Sequence, residues 1–101
     1  MRRVVILAEA AEDLEQGRNF YDAQESGIGD YFADSLVADI ESLAIYHGIH
    51  ARQFGCYRML AHRFPFGIYY REAEKETQVL AVLDLRSDPN WIRKELTKRR
   101  G

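Results

Sequence analysis

The first half of the chain shows one short strand followed by the periodicity of helices. Residues 4–8, "VVILA", are apolar and mostly β-branched, which predicts a short buried strand. The acidic positions after it suit the positive end of a helix, and this helix should stop near Gly27, because glycine is favoured just beyond a helix C-terminus. A second, strongly amphipathic helix is predicted within residues 30–46. Its apolar positions recur at i, i+4, i+8 and i+11, and they are Phe32, Leu36, Ile40 and Leu43.

The second half of the chain shows the period of two that is typical of strands. Residues 47–55 contain two glycines and two histidines, which predicts a loop before the first of these strands. Pro65 has no N–H to donate to a ladder, so a tight connection is expected around it. The next strand, residues 66–71, should place Phe66, Ile68 and Tyr70 in the core and expose Tyr69 on the other face.

The remaining segments complete a prediction of three strands and a final helix. The polar stretch "EAEKET" predicts a hairpin connection, and residues 79–83 are apolar on both faces, which indicates a central strand. The stripe of the second helix is expected to pack against Ile68, Val79, Ala81 and Leu83. Asp88 and Pro89 predict the start of the last helix, as an N-cap and a first helical residue.

This order predicts a single domain of the α+β class over residues 1–101. A helical hairpin should cover one face of a mostly antiparallel four-stranded sheet, in the order β-α-α-β-β-β-α. The opposite face has only the C-terminal helix to cover it. We therefore expect a partner or substrate to bind on the part of that face that stays open.

Composition narrows the class of protein further. The chain is 47% apolar and 30% charged, which is typical of a globular domain. No apolar run approaches the roughly 18 residues of a membrane span, and the N-terminal run is shorter than that of a signal peptide, so a cytoplasmic location away from membranes is expected. The single Cys56 excludes an internal disulfide, and His47 and His50 lack partners at ligand spacing. We therefore expect no metal and no cofactor.

The charges are unevenly distributed between the two halves. Residues 1–51 carry 3 Lys/Arg against 10 Asp/Glu, whereas residues 52–101 carry 11 against 6. Either the halves attract each other in the fold, or the basic half faces a polar partner. Under the second interpretation the basic surface consists of Arg58, Arg63, Arg71 and Arg86.

Three stretches together resemble one protein family. They are Ala11-x-Asp13-Leu14 in the first helix, "RMLAHRFPFGIYYRE" from Arg58, and "VLAVLDLRSDPNWI" from Val79. In their order and spacing the chain resembles, over nearly its whole length, the type II toxins of the RelE/ParE superfamily. The resemblance implies a fold with the same element order. It also implies a cognate antitoxin, whose disordered acidic-hydrophobic tail would fold on the toxin and give a hetero-oligomer.

The superfamily divides by mechanism into RelE-like toxins, which cleave mRNA on the ribosome, and ParE-like toxins, which inhibit DNA gyrase. RelE-like members resemble one another in basic residues on the middle strands, an arginine after the last strand and a tyrosine in the C-terminal segment. Here Arg86 fits the arginine, but Gly67 stands at the strand position, and Trp91 or Ile92 stands near the tyrosine. The resemblance is therefore closer to ParE-like members, which are not known for chemistry of their own.

Several assignments remain open at the level of single residues. A RelE-like nuclease that needs no metal would use His62, Arg63 and Arg86, and a third alternative is a non-toxic member that only binds an antitoxin. Arg86 either clamps an anion or pairs with a neighbouring aspartate, and Trp91 either contacts a partner or packs the last helix onto the sheet. The residues expected to bind the target or the antitoxin are Arg58, Arg63, Tyr69, Arg71, Arg86 and Trp91.

Overall fold

The computed structural model describes all residues from 1 to 101 and has the predicted α+β architecture. None of its helices combines the length and the apolar character needed to cross a membrane. The elements in chain order are β1 (Arg3–Ile6), α1 (Ala8–Gln24), α2 (Ile28–Glu41), the one-turn α3 (Leu43–Tyr46), β2 (Ala51–Gln53), β3 (Cys56–Leu60), β4 (Phe66–Glu72), β5 (Glu76–Asp84) and α4 (Pro89–Arg100).

The sheet has five strands in the order β1-β5-β4-β3-β2, so the prediction of four strands was wrong by one. β1 pairs with β5 in parallel, and the other pairs are antiparallel. The missed strand, β2, lies in the segment predicted as a loop. It is only three residues long, too short to show an alternating pattern. A tight turn through Phe54 and Gly55, both with positive φ, folds it back onto β3.

The core lies on both faces of the sheet. On the face under α1 and α2, the buried residues include Phe32, Leu36, Ile40, Leu43, Met59, Phe66, Ile68, Tyr70, Val79 and Val82. On the face under α4 they are Cys56, Tyr69, Leu80, Ala81, Leu83, Ile92 and Leu96. The predicted packing of α2 against Ile68 and Val79 is confirmed, whereas Ala81 and Leu83 lie on the opposite face.

A β-bulge in β5 accounts for this difference. Tyr69 pairs with Ala81 and Tyr70 pairs with Val79, so Leu80 is an extra residue without a partner on β4. Because a bulge places two consecutive residues opposite one, it shifts the alternation of every side chain beyond it. Val82 therefore faces the helical hairpin, where the sequence pattern predicted Ala81 and Leu83.

The helix α4 covers more of its face than expected. Its start is as predicted, since the Asp88 carboxylate accepts the N–H of Asn90 at 2.8 Å and Pro89 is the first helical residue. Ile92 and Leu96 pack onto the sheet, and Tyr69 is only 1% exposed beneath this layer, so the expectation of an exposed Tyr69 was wrong. Trp91 remains 49% exposed and does not serve as the packing residue.

Ile40→Ala is expected to destabilise the domain by about 2–5 kcal/mol, because it leaves a cavity at the centre of the larger core cluster. Ile40 is 1% exposed, whereas Ile45 on α3 is 63% exposed. Ile45→Ala is therefore the matched control and should change the free energy of unfolding by at most about 0.5 kcal/mol. Urea unfolding measures both variants. Equal midpoints for Ile40→Ala and wild type would mean that α2 does not pack as described.

Candidate functional site

The predicted basic surface divides into two groups, one along β3 and β4 and the other in the connections at one end of these strands. Arg58 lies opposite Tyr69 in the β3–β4 ladder, and Arg71 lies near the end of β4. Arg63 lies in the turn between these strands, and Arg86 follows β5. The N–H of Leu85 donates to the carbonyl of Pro65 at 2.9 Å, which brings the second group to the same end of the sheet. The arginines therefore do not form one continuous patch.

Arg86 forms a two-point ion pair with Asp84. Its Nε lies 2.9 Å from Oδ1 and its Nη2 lies 2.7 Å from Oδ2 of that carboxylate. This pairing holds the pKa of Asp84 below its usual range and raises the pKa of Arg86. Nη2 also reaches the Tyr21 hydroxyl at 3.4 Å. Of the two interpretations left open by the sequence, the structure shows the ion pair.

His62 is held by a carboxylate that the sequence pattern did not assign to it. Its Nδ1 lies 2.6 Å from Oδ1 of Asp39, and its backbone N–H donates to Oδ2 at 3.0 Å. Asp39 lies on α2 and is 7% exposed, although the pattern placed it away from the buried stripe. The imidazole stays largely exposed. No local signal could have revealed this contact, because the two residues are 23 positions apart.

Arg58 carries the one buried side-chain nitrogen or oxygen in the molecule that has no hydrogen-bond partner, its Nε. Its neighbour across the ladder is the phenol of Tyr69. Burial raises the pKa of that phenol, while the positive charge of Arg58 acts in the opposite direction. A hydrogen bond from Arg58 to this phenol acts in the same direction as the charge. A buried donor left unpaired costs free energy, and no carboxylate of the chain compensates the charge of this guanidinium.

Arg99 anchors α4 to α1 and β5. Its Nη1 and Nη2 lie 2.5 and 3.0 Å from the two carboxylate oxygens of Asp13, and its Nε lies 2.9 Å from Glu95. Nη1 also donates to the carbonyl of Leu80 at 3.1 Å, while Asp13 accepts the N–H of Val82 at 2.9 Å. β1 pairs with β5 only as far as Val79. The side chains of Arg99 and Asp13 therefore provide hydrogen-bond partners for the backbone groups of β5 beyond that point.

A cleft of about 460 Å³ lies between α1, β5 and α4, beside this anchor. Two exposed aromatic residues line it, Phe20 on α1 and Trp91 on α4. Five carboxylates line it as well, against one arginine that is itself paired, and they are those of Glu9, Glu12, Asp13, Asp84 and Glu95. The potential in the cleft is therefore negative, which disfavours a phosphate and favours cationic groups.

The fold and these surfaces define a small α+β domain with a helical hairpin on one face of the sheet and one anchored helix on the other. The same fold occurs in a solved chain of the chromosomal ParDE TA system from P. aeruginosa, to which this chain is similar with a TM-score of 0.73 at 21% identity. The likeness covers 81% of this chain and 94% of that chain. No family model matches the sequence, and no curated protein matches it.

Proposed function

We propose that this chain is the toxin of a type II toxin–antitoxin pair, of the ParE-like branch. It acts in the cytoplasm by inhibiting DNA gyrase, and a cognate antitoxin neutralises it. The observation that carries this proposal is the likeness of its fold, over most of both chains, to a chain of a ParDE TA system. The sequence resemblance to the RelE/ParE superfamily supports the proposal independently.

The charges favour a gyrase inhibitor over a nuclease. Cleavage of RNA needs cations that stabilise the negative charge of the phosphate in the transition state. Arg86 is neutralised by Asp84, and the imidazole of His62 is bound to Asp39. Gly67, the second residue of β4, brings no side chain to the strand position at which the nuclease pattern has a basic residue. The cleft beside α4 is acidic and would repel the phosphates of mRNA.

The exposed aromatic residues support a protein as the target. Binding energy at protein interfaces is concentrated in a few residues, among which tryptophan is enriched. Trp91 is 49% exposed and Phe20 is 54% exposed, and both line the same cleft. This pair forms the surface that we assign to the contact with gyrase.

A RelE-like nuclease is the second candidate. The observation that favours it is that Arg63 is exposed and makes no ion pair in the structure, directly after the held imidazole of His62. In that case Arg63 would bind the scissile phosphate, and His62 would transfer a proton.

Growth of cells provides the first test. Induced expression of the chain is expected to arrest growth, and co-expression of the product of the adjacent reading frame is expected to restore it. The strain that expresses Trp91→Ala is the comparison, and it should arrest less. Binding of the adjacent product without any growth arrest would instead identify a non-toxic binding module. If the chain neither arrested growth nor bound the adjacent product, the whole proposal would be contradicted.

A further inference from the structure

A second groove, of about 550 Å³, lies at the outer edge of β3, away from the acidic cleft. Both faces of the sheet contribute to it. Met59 points toward α1 and α2, whereas Leu60 follows it on the strand and therefore points to the face of α4. Of the residues lining the groove, Tyr46, Ile49 and Leu60 are large apolar side chains that are more than half exposed.

The groove exists because β2 begins late, at Ala51. The pairing of β2 with β3 begins at Ala51 opposite Arg58, so it does not reach Met59 or Leu60. The residues before Ala51 are drawn away toward the helical face, since the Tyr70 hydroxyl accepts the N–H of Gly48 at 2.9 Å and lies 2.5 Å from Nδ1 of His50. The last part of β3 is therefore an open edge, which another strand can extend.

The charge of the groove indicates the chemistry of the strand that would fill it. Arg58 lines it and makes no ion pair, and its Nε is the buried donor without a partner. His50 and His62 are the other ionisable side chains of the lining apart from Tyr46, and the lining contains no carboxylate. Burial lowers the pKa of His50, so Arg58 is the cation that an incoming group meets first.

We propose that the groove seats an extended segment of the antitoxin as an added strand along β3, in which apolar and acidic residues alternate. This inference rests on the proposed function. An acidic side chain of the segment pairs with Arg58 on the face of α4. The next residue points to the other face and fills the space between Tyr46 and Met59 with an apolar side chain.

A second copy of this chain fits the groove less well. Two identical edges would bring two Arg58 side chains together without an acidic residue in either lining. Like charges across an interface are unfavourable, whereas an acidic segment complements them.

Two synthetic peptides test the site without reference to toxicity. The first alternates valine and glutamate, and the second alternates valine and lysine. The glutamate peptide should bind at least about tenfold more tightly than the lysine peptide, because it alone offers a charged acceptor to Arg58. It should also slow hydrogen exchange at the amide of Leu60. In Arg58→Gln the preference should disappear, whereas Arg3→Gln, an equal change of charge on the opposite edge strand, should retain it.

The complex with the product of the adjacent reading frame provides the second readout. Leu60→Asp should weaken this complex about tenfold or more, because it places a carboxylate where the acidic segment binds. Ile45→Asp, on an exposed site outside the groove, should leave it unchanged. Equal affinity for both peptides, or unchanged exchange at Leu60 in the complex, would overturn the proposal. Growth arrest by the chain alone reports on the proposed function separately, since it requires no antitoxin.

Discussion

Replacing Arg99 by methionine is expected to destabilise the domain by about 3–5 kcal/mol, because breaking a buried ion pair leaves an uncompensated charge. The side chains of Arg99 and Asp13 are only 8% and 9% exposed. Methionine has a similar length but cannot neutralise the carboxylate of Asp13 or bind the carbonyl of Leu80. The loss is a large share of the roughly 5–15 kcal/mol that stabilises a domain of this kind. Urea unfolding at neutral pH measures it.

Lys98→Met is the matched control for this experiment. Lys98 precedes Arg99 on α4, and its side chain is 74% exposed with one ion pair to Glu95 at 3.5 Å. Exposed pairs of this kind contribute at most about 1 kcal/mol, so the control should lie close to wild type. If both variants lost the same stability, Arg99 would not be the anchor of α4.

The acid dependence of stability gives a second view of the same anchor. Burial is the largest single influence on the pKa of Glu95 and acts to raise it, but the hydrogen bonds and positive charges of Arg99 and Lys98 together outweigh it, and the net result is a pKa below the usual 4.5. A carboxylate with a lowered pKa stabilises the fold above its unfolded value, and this contribution is lost as the pH falls below about 4.5. Arg99→Met should therefore reduce the loss of stability between neutral and acidic pH.

Trp91→Ala is expected to weaken the inhibition of gyrase by about 30-fold or more, which corresponds to the 2 kcal/mol typical of an interface hot spot. Because Trp91 is half exposed and Ile92 and Leu96 carry the packing of α4, the variant should fold normally. Arg86→Ala should also weaken inhibition, since it leaves Asp84 unpaired beside the cleft. His62→Ala should have a smaller effect. The opposite order of effects on toxicity in cells, with His62→Ala the most damaging, would favour the nuclease interpretation.

Local patterns predicted most of the fold. The apolar stripe of α2, the period of two in β3 and β4, and the cap at Asp88 are each set within one element, so the sequence reports them directly. The bulge at Leu80 and the short strand β2 could not be predicted in this way. Both depend on how neighbouring strands pair, and neither leaves a periodic signal of its own.

The candidate site depended more on contacts between distant residues. Arg99 meets Asp13 from 86 positions away, and Asp13 meets Val82 from 69 positions away. The sequence marked Asp13 only as part of a family-like motif, and no local pattern pointed to Arg99 as its partner. The pairing of Arg86 with Asp84, two positions away, was among the predicted alternatives because it is local. The open edge beside Leu60 arises because the hydroxyl of Tyr70 holds the loop before β2 away from β3. No sequence pattern indicates this contact.

We propose that this chain is a ParE-like toxin that binds a protein target and cleaves no RNA. The most direct measurement adds the purified chain, in parallel, to DNA gyrase in a supercoiling reaction and to ribosomes translating a defined mRNA. We expect that supercoiling is inhibited and that the mRNA stays intact. Cleavage of the mRNA at defined codon positions by the wild-type chain, lost in His62→Ala or Arg63→Ala, with supercoiling unaffected, would contradict it.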